Sequence, residues 1–130
     1  MNNVVIENKT DRTIDEAKLR ETILSAANIF VLENSVVEIL IVEKEEIAEL
    51  NRNFRSIDKP TDVLSFPQID VAAAKIKMLG SIVICPEVVD NKEEDFFEVA
   101  KHGLIHLLGF DHETDLSEWE KAAKRINCIF

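Results

Sequence analysis

All three histidines of the chain fall within one short stretch, His102-Gly103-Leu104-Ile105-His106-Leu107-Leu108-Gly109-Phe110-Asp111-His112. At about 100° per residue, His102 and His106 lie a turn apart on one helix face, where two imidazoles converge on a single point. Gly109 permits the left-handed turn that stops a helix, and Phe110-Asp111 give the chain length to bring His112 back toward that point. Phe97, Ala100, Leu104, Leu107 and Leu108 fall on the opposite face, and Val99 and Ile105 flank the histidines, so the helix is apolar nearly all round and central to its fold. Gly103 is unfavourable in a helix interior by about 0.5–1 kcal/mol relative to Ala, which implies that something approaches it closely.

Three neutral imidazoles with an open fourth position are the ligand set of catalytic zinc sites, whereas structural zinc is normally enclosed by four Cys-rich ligands. His102, His106 and His112 are therefore candidate metal ligands, and neither Cys85 nor Cys128 has ligand spacing. Imidazole alone does not select zinc over nickel, copper or iron, so zinc is expected on availability, with nickel or another divalent transition metal as alternatives. An ion of this kind lowers the pKa of bound water to about 7 and polarises a phosphoryl or carbonyl oxygen, which makes hydrolysis the expected reaction.

Ahead of the cluster, short apolar runs alternate with turn residues. Val4-Val5-Ile6 reads as a strand, Leu19, Ile23, Ala26, Ala27 and Phe30 recur at helical spacing after Asp15, and Val36–Val42 is a buried strand. Ile47, Leu50 and Phe54 mark a second helix, and Arg55–Asp62 a loop in which Pro60 keeps Lys59 out of the α region. Val63–Pro67 and Leu79–Cys85 are further strands, Pro86 suits a first helical turn, and the chain beyond Glu93 is helical with one interruption. In the last segment Leu116, Trp119, Ala123 and Ile126 have the spacing of a packing helix, with Ser117 and Glu120 as a capping box. The fold class expected is α+β, a small mixed sheet of about four strands packed with helices. At 130 residues the chain is expected to form a single domain over residues 1–130.

A net charge of −10 keeps the molecule soluble but repels nucleic acid over most of its surface, so any polyanion must be met locally. Arg52, Arg55 and Lys59 place three cations within eight residues and form either such a local funnel or a merely solvated loop. No apolar run reaches the ~18 residues of a membrane helix and the N-terminus lacks a signal-peptide pattern. The expectations are a cytoplasmic protein with no membrane and no DNA partner, whose two cysteines are reduced and buried.

The spacing His-x-x-x-His-x-x-Gly-x-x-His resembles that of metzincin peptidases, whose general base is a Glu directly after the first His; here that residue is Gly103. The whole stretch His102 to His112 more closely resembles the YbeY family of bacterial endoribonucleases, whose pattern His-Gly-x-x-His-Leu-x-Gly-(Tyr/Phe)-Asp-His it matches throughout. A second family element is matched by Leu50-Asn51-Arg52-Asn53-Phe54-Arg55 and Asp58-Lys59-Pro60-Thr61-Asp62-Val63-Leu64-Ser65-Phe66-Pro67. A third, Leu-Gly-Asp-Ile-x-Ile, reads Leu79-Gly80-Ser81-Ile82-Val83-Ile84, with Ser81 in the acid's place.

The resemblance implies a zincin-like metal site on the central helix, held by His102, His106 and His112, with Arg55 as the catalytic residue that engages an RNA phosphate. It implies a single-strand-specific endoribonuclease of rRNA maturation at the small-subunit 3′ end and of ribosome quality control, with metal-bound water as nucleophile. Its partners would be rRNA and the small ribosomal subunit. On the residues alone, Arg55 is either a bidentate phosphate clamp or half of a surface ion pair, and Asp111 either orients an imidazole or forms a turn. Two other functions share the three histidines: a non-catalytic ribosome- or RNA-binding module with a structural metal, and a zinc metallopeptidase.

Overall fold

A computed structural model describes residues 1–68, 77–111 and 114–128. The expected strands and helices all form: β1 (Asn3–Asn8), α1 (Glu16–Ile29), β2 (Ser35–Ile41), α2 (Lys44–Arg55), β3 (Val63–Pro67), β4 (Lys77–Ile84), α3 (Pro86–Asn91), α4 (Phe96–Leu107) and α5 (Leu116–Arg125). The result is a mixed α+β fold with one four-stranded sheet of order β1-β2-β4-β3. β1, β2 and β4 run parallel and β3 pairs antiparallel with β4, at the sheet edge. The parallel pairs follow from the β-α-β order of the first half, because a parallel neighbour needs a crossover connection.

Strict alternation makes the sheet two-faced. Along β2 every second residue is buried, and in register with β4 these residues give the pairs Ile39–Ile82 and Ile41–Ile84. That face joins Leu19 and Ile23 of α1, Leu104 and Ile105 of α4, and Trp119 of α5 in the larger core. Each fully buried Leu or Ile here contributes about 1.5–3 kcal/mol relative to exposure. On the other face, Leu64 of β3 and Val83 of β4 pack with Ile47 of α2 and Val88 of α3 in a smaller cluster.

Side-chain caps set where the helices start. Asp15 accepts from the Lys18 N–H at the start of α1, and Asp95 accepts from the Phe97 and Glu98 N–H groups at the start of α4. For α5 the cap is Asp115, which accepts from the Glu118 N–H, rather than Ser117, which already lies inside the helix that begins at Leu116. Both cysteines are buried free thiols, as expected. Burial is the main cause that raises the Cys128 thiol to about 11, with the charge of Glu98 adding and Lys101 opposing.

Candidate functional site

The position of the two histidines is fixed by a close contact at Gly103. A Cβ there would stand 2.7 Å from Ile82 Cγ2 and 3.3 Å from Val63 Cγ2, so only glycine lets α4 sit this near β3 and β4. The Ser65 hydroxyl donates to the Gly103 carbonyl at 2.9 Å and pins the same turn to β3. The close approach anticipated from a glycine in mid-helix is therefore that of the sheet. With α4 held at this height and rotation, the rings of His102 and His106 lie 4.8 Å apart at an interplanar angle of 64°.

Both imidazoles rest on one indole. The Trp119 ring centroid is 4.7 Å from that of His102 and 4.7 Å from that of His106, and Trp119 is completely buried. Helical spacing in α5 marks Trp119 as inward-facing; that it backs the histidines depends on the α4–α5 connection, which spacing cannot give. After α4, Gly109 takes φ 93° and its N–H donates to the His106 carbonyl at 3.0 Å, as a helix-stopping glycine should. The turn delivers Asp111 to the same cleft as the histidines.

That cleft, about 520 Å³, runs along β3 and is lined by Arg55, Asp62, Ser65, His102, His106 and Asp111, among others. Arg55, expected to act with the histidines, is thus brought to them from the far end of α2, some fifty residues away in sequence. The helix ends at Ser56 in the left-handed region, φ 58°, and the buried Asn51 then ties down the following loop by donating from Nδ2 to the Lys59 carbonyl at 2.8 Å. Arg52 reaches Asp58 at a loose 3.9 Å, whereas Arg55 pairs with no carboxylate among the described residues. The surface ion pair, which the residues alone favour for Arg55 in so acidic a chain, is therefore not formed among them.

β3 is an edge strand whose alternate residues, Val63, Ser65 and Pro67, turn their backbone groups away from β4. Pro67 has no N–H and the Val63 N–H is taken by Asp62 Oδ1 at 2.9 Å, which leaves the Ser65 N–H as this edge's open donor among the described residues.

Asp62 stands on the cleft wall with its carboxylate mostly shielded from water. Burial would raise its pKa, but a hydrogen bond from Glu94, the charge of Lys92 at 3.6 Å, and donation from Thr61 Oγ1 and the Val63 N–H outweigh that and hold it below the ordinary value. Glu94 is the converse: desolvation, then its hydrogen bond to Asp62 and that neighbour's charge, push it up to about 7 against the pull of Lys92. Below about pH 7 the proton of this pair resides on Glu94 and the charge on Asp62. Thr61 and Asp62 pin the loop by these bonds; the carboxyl partner Glu94 was not foreseen, because it comes from the α3–α4 connection.

Ser81 lies elsewhere. It is in register with Glu38 and Phe66, on the sheet face opposite Ile82 and α4, and its hydroxyl donates to Glu38 Oε1 at 2.7 Å. The exchange of acid for serine therefore leaves the histidine face untouched, and the neighbouring strand supplies a carboxylate at that spot.

Two imidazoles a turn apart, opening on a polar cleft, fit two of the three expected metal donors. Among the described residues no third His, Cys, Asp or Glu completes a ligand group with them. His112, the third expected ligand, lies outside the described residues.

Comparison with known proteins gives a consistent result. The family described as Endoribonuclease YbeY matches residues 5–129. A protein named Endoribonuclease YbeY from Aliarcobacter butzleri is 41% identical over 121 residues, covering 87% of this chain and 81% of its own. One of the same name from a Nitratiruptor species is 38% identical over 136 residues, 97% of this chain and 89% of its own. The solution structure of a Thermotoga maritima protein superposes with a TM-score of 0.56 at 30% identity, over 98% of this chain and 87% of that one.

Proposed function

The chain belongs to the Endoribonuclease YbeY family, and on that premise we propose that it is a metal-dependent, single-strand-specific endoribonuclease that matures the 3′ end of small-subunit rRNA and serves ribosome quality control. The observation that carries the reading is the convergence of Arg55, His102 and His106 on one cleft. His102, His106 and His112 would hold a divalent ion in a zincin-like arrangement, zinc by availability and nickel or another transition metal as alternatives. Such an ion, when bound, activates water and neutralises charge on a phosphoryl oxygen.

The remaining work falls to the chain's own residues. Arg55 clamps the scissile phosphate through its forked guanidinium and offsets charge that develops there in the transition state. Trp119 keeps the imidazoles oriented and shuts water out beneath them. Asp62 and Asp111 are the carboxylates of the cleft wall, and so the acceptors within it for a proton. A peptidase is disfavoured because its general base would stand at residue 103, where the sheet leaves no room for a side chain.

The whole chain is read as one catalytic domain acting in the cytoplasm on the small ribosomal subunit; no described helix is long and apolar enough to cross a membrane. The test combines metal analysis with RNA cleavage. Purified protein should carry a stoichiometric divalent ion, lose cleavage on chelation and regain it on metal return, while His106→Ala should lose ion and cleavage together. Unchanged metal content in that variant, or cleavage indifferent to chelation, would overturn the assignment.

A further inference from the structure

The last turn of α2 presents a bare aromatic ring among cations. Phe54 is 66% exposed, one of the large apolar side chains most open to water, yet it stands directly before Arg55, which lines the cleft. One edge of the ring is steadied by Phe66 of β3, with centroids 4.9 Å apart at 65°, so the ring is held in place rather than swinging in solvent. Phe66 packs on the sheet face opposite the histidines, so Phe54 stands just behind the edge strand whose Ser65 and Pro67 line the cleft. Arg52 and Arg55 share this turn and Lys59 follows in the loop, a local run of positive charge in a chain of net charge −10.

An exposed, laterally braced aromatic flanked by cations suits one kind of occupant, a single-stranded nucleic acid, whose bases offer π faces and whose backbone is anionic. Base pairing would hide those faces, so a duplex would gain only the charge. We propose that Phe54 is a stacking platform for an unpaired RNA base, placed so that the phosphate chain leaving that nucleotide passes Arg52 and Arg55 into the cleft. The proposal rests on the ribonuclease reading and deepens it, by giving the preference for single strands a residue. Phe54 acts by positioning RNA and takes no part in the bond-breaking step.

The test uses the full chain and a short single-stranded oligoribonucleotide carrying 2-aminopurine at successive positions, whose fluorescence is quenched when the base stacks. Phe54→Leu preserves the apolar contact with Phe66, and circular dichroism verifies its fold. Wild type should quench one position, Phe54→Leu should lose that quenching and bind about tenfold more weakly, and Phe54→Trp should restore both. An abasic nucleotide at the quenched position should weaken wild type by a similar factor and leave Phe54→Leu unaffected. In cleavage, the Leu variant should raise KM with little change in kcat.

Equal quenching and affinity in wild type and Phe54→Leu would overturn the proposal and leave the ring as a protein-contact surface, even if cleavage is intact. Quenching that depends on Phe54 without any cleavage would uphold the platform while removing the ribonuclease reading, so the two claims fail separately.

Discussion

Replacing Gly103 by alanine would put a methyl group 2.7 Å from Ile82 Cγ2, closer than carbon atoms pack, so α4 or the sheet must move. Overpacking of this kind destabilises by about 1–3 kcal/mol. Gly103→Ala should therefore lower the urea midpoint, and because the displaced helix carries His102 and His106, cleavage should fall more than stability alone explains. The Asp62–Glu94 pair makes a pH prediction. Asp62, held below its ordinary value, contributes stability at neutral pH that is lost as the pH falls through the acid range. Glu94, raised from 4.5 to about 7, does the reverse: its contribution is complete below its ordinary pKa and is lost as the pH rises through about 7. Stability should thus decline between about pH 5 and pH 8, shallowly because Glu94 is exposed, and Glu94→Gln, which keeps a donor for Asp62, should flatten that decline in urea titrations. At this scale the histidine pair was legible because helical periodicity alone puts positions four apart on one face. Its indole backing and the Glu94 partner were not, since each comes from a separately connected segment.

Between elements, the tie that matters most joins α2 to the loop that follows it. Asn51 is buried and its Nδ2–H reaches the Lys59 carbonyl, so the loop folds back over the end of the helix that carries Arg55. Asn51→Ala leaves that carbonyl without its donor, at a cost of about 1–3 kcal/mol. We expect a matching loss in unfolding free energy and a raised KM for RNA, as the 56–62 loop and the Arg55 turn lose their brace; an unchanged KM with normal stability would contradict this role. Strands and helices were legible from apolar spacing and from proline and glycine punctuation, because those signals are local. The α5 cap is Asp115 and not Ser117 because two capping residues stand close together and only geometry shows at which of them the helix begins.

For the molecule as a whole, the sequence disclosed a mixed α+β fold but not the strand order β1-β2-β4-β3, which depends on pairings between segments far apart in the chain. It likewise disclosed that a strongly acidic chain would have to meet any polyanion at a local run of cations; Arg52 and Arg55 stand in the last turn of α2, and Arg55 lines the histidine cleft. Arg55 has no shared periodicity with His102 and His106, so only matching motifs linked them before the structure set these three around one cavity. The central claim is that these residues form one catalytic site for RNA. Its most direct test is cleavage of a single-stranded small-subunit rRNA fragment by wild type, Arg55→Ala and His106→Ala, purified side by side and verified as folded. The account predicts that wild type cuts and that each variant is slower by about a hundredfold or more. Equal cutting by all three would contradict it.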